Sequence, residues 1–130
     1  MIRLFLDMDG VLVFQNGQRD SYDTMHWMPD GKRLWEWCKP FKPTLLSQLP
    51  DAIYDRCTPQ KRAWAARELG AYVGVIVVPD TMGKVPYASP RAILIDDSRR
   101  HMEAWRNAGG IFILHRSAEE SISTMAELLQ

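Results

Sequence analysis

Ile2-Arg3-Leu4-Phe5-Leu6-Asp7-Met8-Asp9-Gly10 is the stretch on which the reading of this chain turns. Ile2 to Leu6 reads as a buried strand. It halts abruptly at two carboxylates one residue apart, followed by a glycine. Asp and Gly favour tight turns, so this ending could be turn chemistry alone. Elsewhere the chain repeats the arrangement. Thr44-Leu45-Leu46 is a short apolar run that stops at Ser47, and Ala92-Ile93-Leu94-Ile95 stops at Asp96-Asp97. Three apolar runs ending in polar, oxygen-bearing side chains are a stronger signal than any one of them.

Helix-like stretches separate these runs. Asp30 can cap a helix over Gly31 to Lys39, which Pro40 and Pro43 close. Thr58 followed by Pro59 predicts a helix start, and Gly70 a helix end. Val73 to Val78 is rich in β-branched residues and does not alternate, which predicts a strand buried on both faces. Ser98 caps a helix over Arg99 to Ala108, Gly109-Gly110 ends it, and Ile111 to Leu114 is the last strand. Ser117 opens a final helix with Ile122, Met125, Leu128 and Leu129 on one face. Trp35, Trp37, Trp64 and Trp105 read as core. After the first strand, Val11 to Phe14 precedes Asn16-Gly17, the strongest two-residue hairpin signal, and predicts a small β-hairpin flap.

Strands alternating with helices predict an α/β fold, a parallel sheet with helices on both faces joined by right-handed crossovers. In such open sheets ligands bind beyond the carboxyl ends of the strands, where the strand order reverses. The chain has 130 residues, the length of one domain, and shows no repeat or linker, so residues 1–130 are expected to form a single domain with 11–29 as the flap. Hydrophobic residues at 46% and charged residues at 25% exclude a disordered, collagenous or coiled-coil chain. Sixteen basic and sixteen acidic residues give no net charge, which argues against a protein that grips long nucleic acid through its phosphates. No apolar run reaches the ~18 residues of a membrane span, and the N-terminus runs directly into Arg3 and Asp7. Cys38 and Cys57 make neither a disulfide framework nor a metal cluster. A cytoplasmic protein with two reduced thiols and no membrane partner is expected.

Asp7, Asp9, Asp96 and Asp97 at adjacent strand ends would repel strongly without a cation among them. Oxygen ligands with no His or Cys nearby point to a hard cation, Mg²⁺ above all, and Mg²⁺ that keeps waters is the usual partner of phosphate substrates. Ser47 and Lys84 would bind phosphate oxygens. Thr44 is the alternative hydroxyl, although it lies at the wrong end of its strand. Lys61 is the alternative ammonium, although a position in a helix's first turn suits a solvated charge better.

Asp7-Met8-Asp9-Gly10-Val11-Leu12, Ser47, Lys84 and Ile95-Asp96-Asp97 resemble, in order, the four motifs of the haloacid dehalogenase superfamily of aspartyl-phosphate-forming phosphatases. The opening motif and Cys57-Thr58-Pro59-Gln60-Lys61-Arg62-Ala63-Trp64 resemble its 5'(3')-deoxyribonucleotidase branch. The resemblance implies a Rossmann-like three-layer sandwich with a five-stranded sheet in the order 5-4-1-2-3. It also implies that Asp7 is the nucleophile and that Asp9 protonates the leaving oxygen, then deprotonates water. Mg²⁺ would sit on the Asp7 carboxylate, the Asp9 backbone carbonyl and Asp96, with Asp97 close by. Ser47, Lys84 and the turn at Gly10 would hold the phosphate.

The nucleotidases carry a helical cap between their first two motifs. Val11 to Pro29 offers only nineteen residues, too few for several helices, so a minimal cap is expected. Phe14, Tyr22, His26 and Trp27 in this segment could stack on a base or pack the segment onto the core. His26 and His101 could be proton shuttles but read as surface residues, and Arg99 and Arg100 as a solvated turn within reach of a distal phosphate. The expected function is a Mg²⁺-dependent phosphomonoesterase, a monomer or small homo-oligomer, with a small nucleotide-like substrate. The alternatives are a phosphatase of polynucleotide ends or phosphoproteins, and a non-catalytic binding module.

Overall fold

The computed structural model describes residues 1–14, 22 and 24–130. Five strands, β1 (Arg3–Leu6), β2 (Thr44–Leu49), β3 (Val75–Pro79), β4 (Ala92–Asp96) and β5 (Ile111–Leu114), form one sheet in the order β3-β2-β1-β4-β5. All four pairings are parallel, and the order is the expected one read from the other edge. The helices are α1 (Gly31–Cys38), α2 (Tyr54–Glu68), α3 (Met102–Asn107) and α4 (Ala118–Leu128).

Side-chain parity along the strands builds three layers. Leu4, Leu6, Leu45, Leu49, Ile93, Ile95 and Ile113 pack with Leu34 and Trp35 of α1, Trp64 of α2 and Met125 of α4. Phe5, Leu46, Leu94 and Phe112 point to the opposite face, where Trp105 of α3 covers them. β4 is buried along its whole length. Val75 and Ile76 of β3 are only half-buried, because β3 is an edge strand; the expectation of burial on both faces fails there.

Several boundaries differ from the sequence reading. β2 does not stop at Ser47 but continues to Leu49, paired with β3 throughout. α2 begins at Tyr54 after a single 3₁₀ turn over Asp51–Ile53, so Thr58 is not its cap and Pro59 lies within it. The Thr58 hydroxyl instead donates to the Tyr54 carbonyl at 2.6 Å. A 3₁₀ turn over Arg99–His101 precedes the shorter α3. Asp30 makes no side-chain cap on α1; its carboxylate accepts from the Ala118 amide at 2.7 Å and joins α1 to the start of α4. Leu128 and Leu129 are exposed, and the buried face of α4 is Ala118, Ser121 and Met125.

The segment after β1 folds back on itself. The Phe14 amide donates to the His26 carbonyl at 2.9 Å, the Met28 amide donates to the Leu12 carbonyl at 2.8 Å, and Val13 bridges Trp27. This pairing is out of register with a two-residue turn at Asn16-Gly17, which would place Val13 opposite residue 20. Asn16-Gly17 itself lies outside the described residues. Trp27 packs on Trp64 with ring centroids 5.2 Å apart and donates to Glu68, while Trp64 donates to the Met25 carbonyl. Tyr22 is fully buried, so packing onto the core is the outcome for Tyr22 and Trp27; Phe14 and His26 are exposed.

Candidate active site

A cavity of about 490 Å³ opens beyond the carboxyl ends of β1, β2 and β4. Asp7, Asp9, Lys84, Asp96, Asp97, Ser98, Arg100 and His101 line it, with Gln48, Pro50 and Asp80 on the β2–β3 side. No described residue of the 11–29 segment lines it. Five carboxylates face two cationic side chains there.

Parallel register and strand parity bring the acidic groups together. Leu6 pairs with Ile95, so Asp7 follows at the level of Asp96. The buried Lys84 ammonium lies 3.1 Å from Asp7 Oδ1 and donates to Asp96 Oδ2 at 2.9 Å. Burial acts to lower the Lys84 pKa, but Asp7 and Asp96 outweigh it and raise it. Burial likewise opposes ionisation of Asp96, yet Lys84 and the Ser98 amide hold its carboxyl below the usual range. Asp7 goes the other way. Burial, joined by the charges of Asp96 and Asp9, pushes it well above the usual range despite Lys84. Asp97 is raised by burial and by Asp96.

Gly10 makes the close packing possible. Its φ of +81° is left-handed, and a Cβ there would fall 2.0 Å from Asp97 Oδ2. Its amide donates to the Val13 carbonyl at 2.7 Å, so the phosphate contact expected of Gly10 has no free N–H to rest on. The glycine serves the turn and the room for Asp97.

Ser47 and Lys61 correct the sequence reading. In the β1–β2 register Leu6 sits opposite Leu45, which puts Ser47 two residues past the end of β1. Ser47 has the parity of Leu45 and Leu49, faces α2 and does not line the cavity. Lys61, set aside as a solvated charge, is fully buried. Its ammonium donates to Ser47 Oγ at 2.5 Å and to Asp9 Oδ2 at 3.1 Å, and lies 4.8 Å from the centroid of the Tyr22 ring. A buried charge persists only when paired, and this one has a carboxylate, a hydroxyl and an aromatic face. The signal was in the sequence. Cys57, Lys61, Trp64 and Ala65 fall on one helical stripe once α2 starts at Tyr54. His101 is a second correction, since it is buried and lines the cavity. Thr44 sits at the opposite end of β2, and His26 is exposed away from the cavity.

The donor set fits a small hard cation. Oxygens of Asp7, Asp96 and Asp97 lie within 4.8 Å of one another, with no nitrogen or sulfur ligand among them. Asp9 contributes no carboxylate oxygen to this group: Lys61 holds Oδ2, and Oδ1 is buried without a hydrogen-bond partner among the described residues.

Fold and site together define a Rossmann-like α/β protein with a carboxylate–lysine centre at the switch point of its sheet. The same fold occurs in D,D-heptose 1,7-bisphosphate phosphatase from B. bronchiseptica, complexed with magnesium and phosphate. That match has a TM-score of 0.59 and 14% identity over 98% of this chain and 99% of that one. The enzyme of the same name from Burkholderia thailandensis matches with a TM-score of 0.53 and 15% identity, over 95% of this chain and 85% of that one. A chain of a Pnkp1/Rnl/Hen1 complex matches with a TM-score of 0.59 and 17% identity over 88% of this chain. The present chain spans 46% of the length of that one. No family model and no curated protein matches the sequence. Among the described residues, no helix is long and apolar enough to cross a membrane.

Proposed function

We propose that residues 1–130 act as one Mg²⁺-dependent phosphomonoesterase domain of the haloacid dehalogenase type. The observation that carries this reading is the pairing of two differently held carboxylates at one cavity. Asp7 stands at the floor beside Lys84 and Asp96, and Asp9 stands two residues on, clamped by Lys61. A binding module has no need of the second carboxylate in that position. The names of two proteins sharing the fold, and the magnesium and phosphate in one of them, support the reading.

Asp7, Asp96 and Asp97, with the Asp9 backbone carbonyl, would hold Mg²⁺, whose charge offsets the repulsion between these carboxylates and a phosphate. An Asp7 oxygen attacks phosphorus, and the bond from phosphorus to the ester oxygen breaks. Asp9 gives its proton to that leaving oxygen. In the second step Asp9 takes a proton from water, whose oxygen attacks the phospho-aspartate and releases phosphate and the Asp7 carboxylate. Lys84 steadies the phosphate charge from the cavity floor. Ser47 acts from behind, through Lys61, on the placement of Asp9.

A phosphorylated nucleotide or a polynucleotide end is the substrate class this reading favours. The cavity is open, and no described residue of the short 11–29 segment closes it. The test is a screen of nucleoside monophosphates, 5'- and 3'-phosphorylated oligonucleotides and an aryl phosphate, with Mg²⁺ and with chelator. Hydrolysis that needs Mg²⁺ is expected. Asp9→Asn should lose more activity on poor leaving groups than on the aryl ester. Full activity after exhaustive chelation, or in Asp7→Asn, would overturn the assignment.

A further inference from the structure

Besides Asp7, Asp9, Lys84, Asp96 and Asp97, the cavity is lined by Gln48, Asp80, Arg100 and His101, which the chemistry above does not use. His101 is nine-tenths buried, yet neither ring nitrogen hydrogen-bonds any described residue. Neither nitrogen is sealed from solvent, so the imidazole meets the cavity. The exposed Asp80 carboxylate accepts from the Gln48 amide nitrogen at 2.8 Å on Oδ1, and Arg100 lies 4.0 Å from the same oxygen. Asp80 Oδ2 is left without a partner among the described residues. Gln48 Oε1 is a further acceptor with none.

These groups have one chemistry in common. A neutral imidazole offers one donor and one acceptor, and a carboxylate and an amide carbonyl accept. Burial and the neighbouring Lys84 hold His101 below its ordinary pKa, which favours that neutral form. A hydroxyl both gives and accepts, so it satisfies each of them. An aromatic ring satisfies none, and no aromatic side chain other than the imidazole lines the cavity. Of the rings in the 11–29 segment, Tyr22 lies over Lys61 and Trp27 on Trp64, Phe14 and His26 are exposed, and none lines the cavity. Residues 15–21 and 23 carry no aromatic ring in the sequence.

We propose that His101 and Asp80, the latter set by Gln48, form a leaving-group subsite for the hydroxyls of a sugar-like alcohol, so that the enzyme reads the carbon skeleton next to the phosphate rather than a base or aryl ring. This rests on the phosphomonoesterase reading above and sharpens it. A site built to hydrogen-bond a hydroxyl rejects an analogue lacking it, because its own polar groups are then left unpaired.

The test measures binding apart from turnover. Asp7→Asn is titrated by calorimetry, in Mg²⁺, with ribose 5-phosphate, phenyl phosphate, adenosine 5'-monophosphate and inorganic phosphate. Ribose 5-phosphate is expected to bind at least tenfold more tightly than phenyl phosphate, and adenosine 5'-monophosphate within threefold of ribose 5-phosphate. Adding His101→Ala should remove most of that advantage while leaving inorganic phosphate unchanged. Gln48→Met in the same background, checked for fold by circular dichroism, gives the same readout through Asp80 should the histidine variant fail to fold. Phenyl phosphate binding as tightly as the sugar phosphate, a tenfold gain from the base, or an advantage that survives both substitutions would each overturn the subsite. Wild-type protein that binds the sugar phosphate selectively but hydrolyses no ester would refute the phosphomonoesterase reading and leave the subsite standing.

Discussion

Two lysines lie buried at the carboxylate cluster, each paired with different aspartates, and their surroundings differ. Lys84 comes from the loop after β3, bridges Asp7 and Asp96 and opens onto the cavity. Lys61 comes from α2, bridges Asp9 and Ser47 and is closed over by Tyr22. In the proposed reaction one ammonium meets the arriving phosphate, and the other fixes the side chain that moves protons. Ionic contact alone does not separate these tasks. Access to the cavity does.

The largest expected effect is on the Lys84 side. Asp7→Asn should lower turnover by several orders of magnitude, as removal of a nucleophile does, with the fold intact by circular dichroism. It should also raise metal-free stability. The Asp7 pKa is raised in the folded state, so its contribution is fully present below the unfolded value near ~3.9 and is lost as pH rises through the folded value. With chelator at pH 7 the variant should melt above wild type, and the gap should close below about pH 4. A variant that melts lower at pH 7 would show that Lys84 needs both carboxylates.

The lysines themselves come next. Lys84→Met and Lys61→Met each leave buried carboxylate behind, at a cost of about 3–5 kcal/mol, measurable by denaturant titration. Mg²⁺ should restore much of the stability of Lys84→Met, because a cation among Asp7, Asp96 and Asp97 replaces the missing charge. It should restore little in Lys61→Met, where the stranded group is Asp9 Oδ2. Equal rescue of both would erase the distinction between the two sides.

Gly10→Ala is smaller. The left-handed backbone costs about 1–2 kcal/mol with a Cβ, and Asp97 must also move. The Mg²⁺ concentration for half-maximal activity should rise more than KM for substrate. Phe14→Ala should change least, with stability within about 0.5 kcal/mol of wild type and kcat/KM unchanged on a nucleotide. A clear loss on nucleotides alone would bring the aromatic segment back to the substrate.

Much of the fold was legible because periodicity and strand endings are local. Five parallel strands and the acidic ends of β1 and β4 follow from apolar runs, helix caps and the Asp-x-Asp-Gly and Asp-Asp pairs. The sequence reading misses Lys61 because Thr58-Pro59, a strong start signal that tertiary packing overrides, puts the start of α2 five residues late. His101 was misread because a histidine in a polar turn gives no local sign of burial. Ser47 lies inside β2, two residues before its end at Leu49, and bonds Lys61 of α2 instead of lining the cavity.

The sequence by itself determined the sheet, the order of its strands through the family resemblance, and the carboxylates at the carboxyl edge. These depend on side-chain chemistry within a few residues of chain. Only the tertiary structure decided which partner each charge takes. Parallel register sets Asp7 level with Asp96, and strand parity turns Ser47 toward α2. The stripe on α2 then brings Lys61 to Asp9 across fifty-two residues of sequence. Such pairings join elements distant along the chain, and no local pattern records the angle and level at which those elements meet.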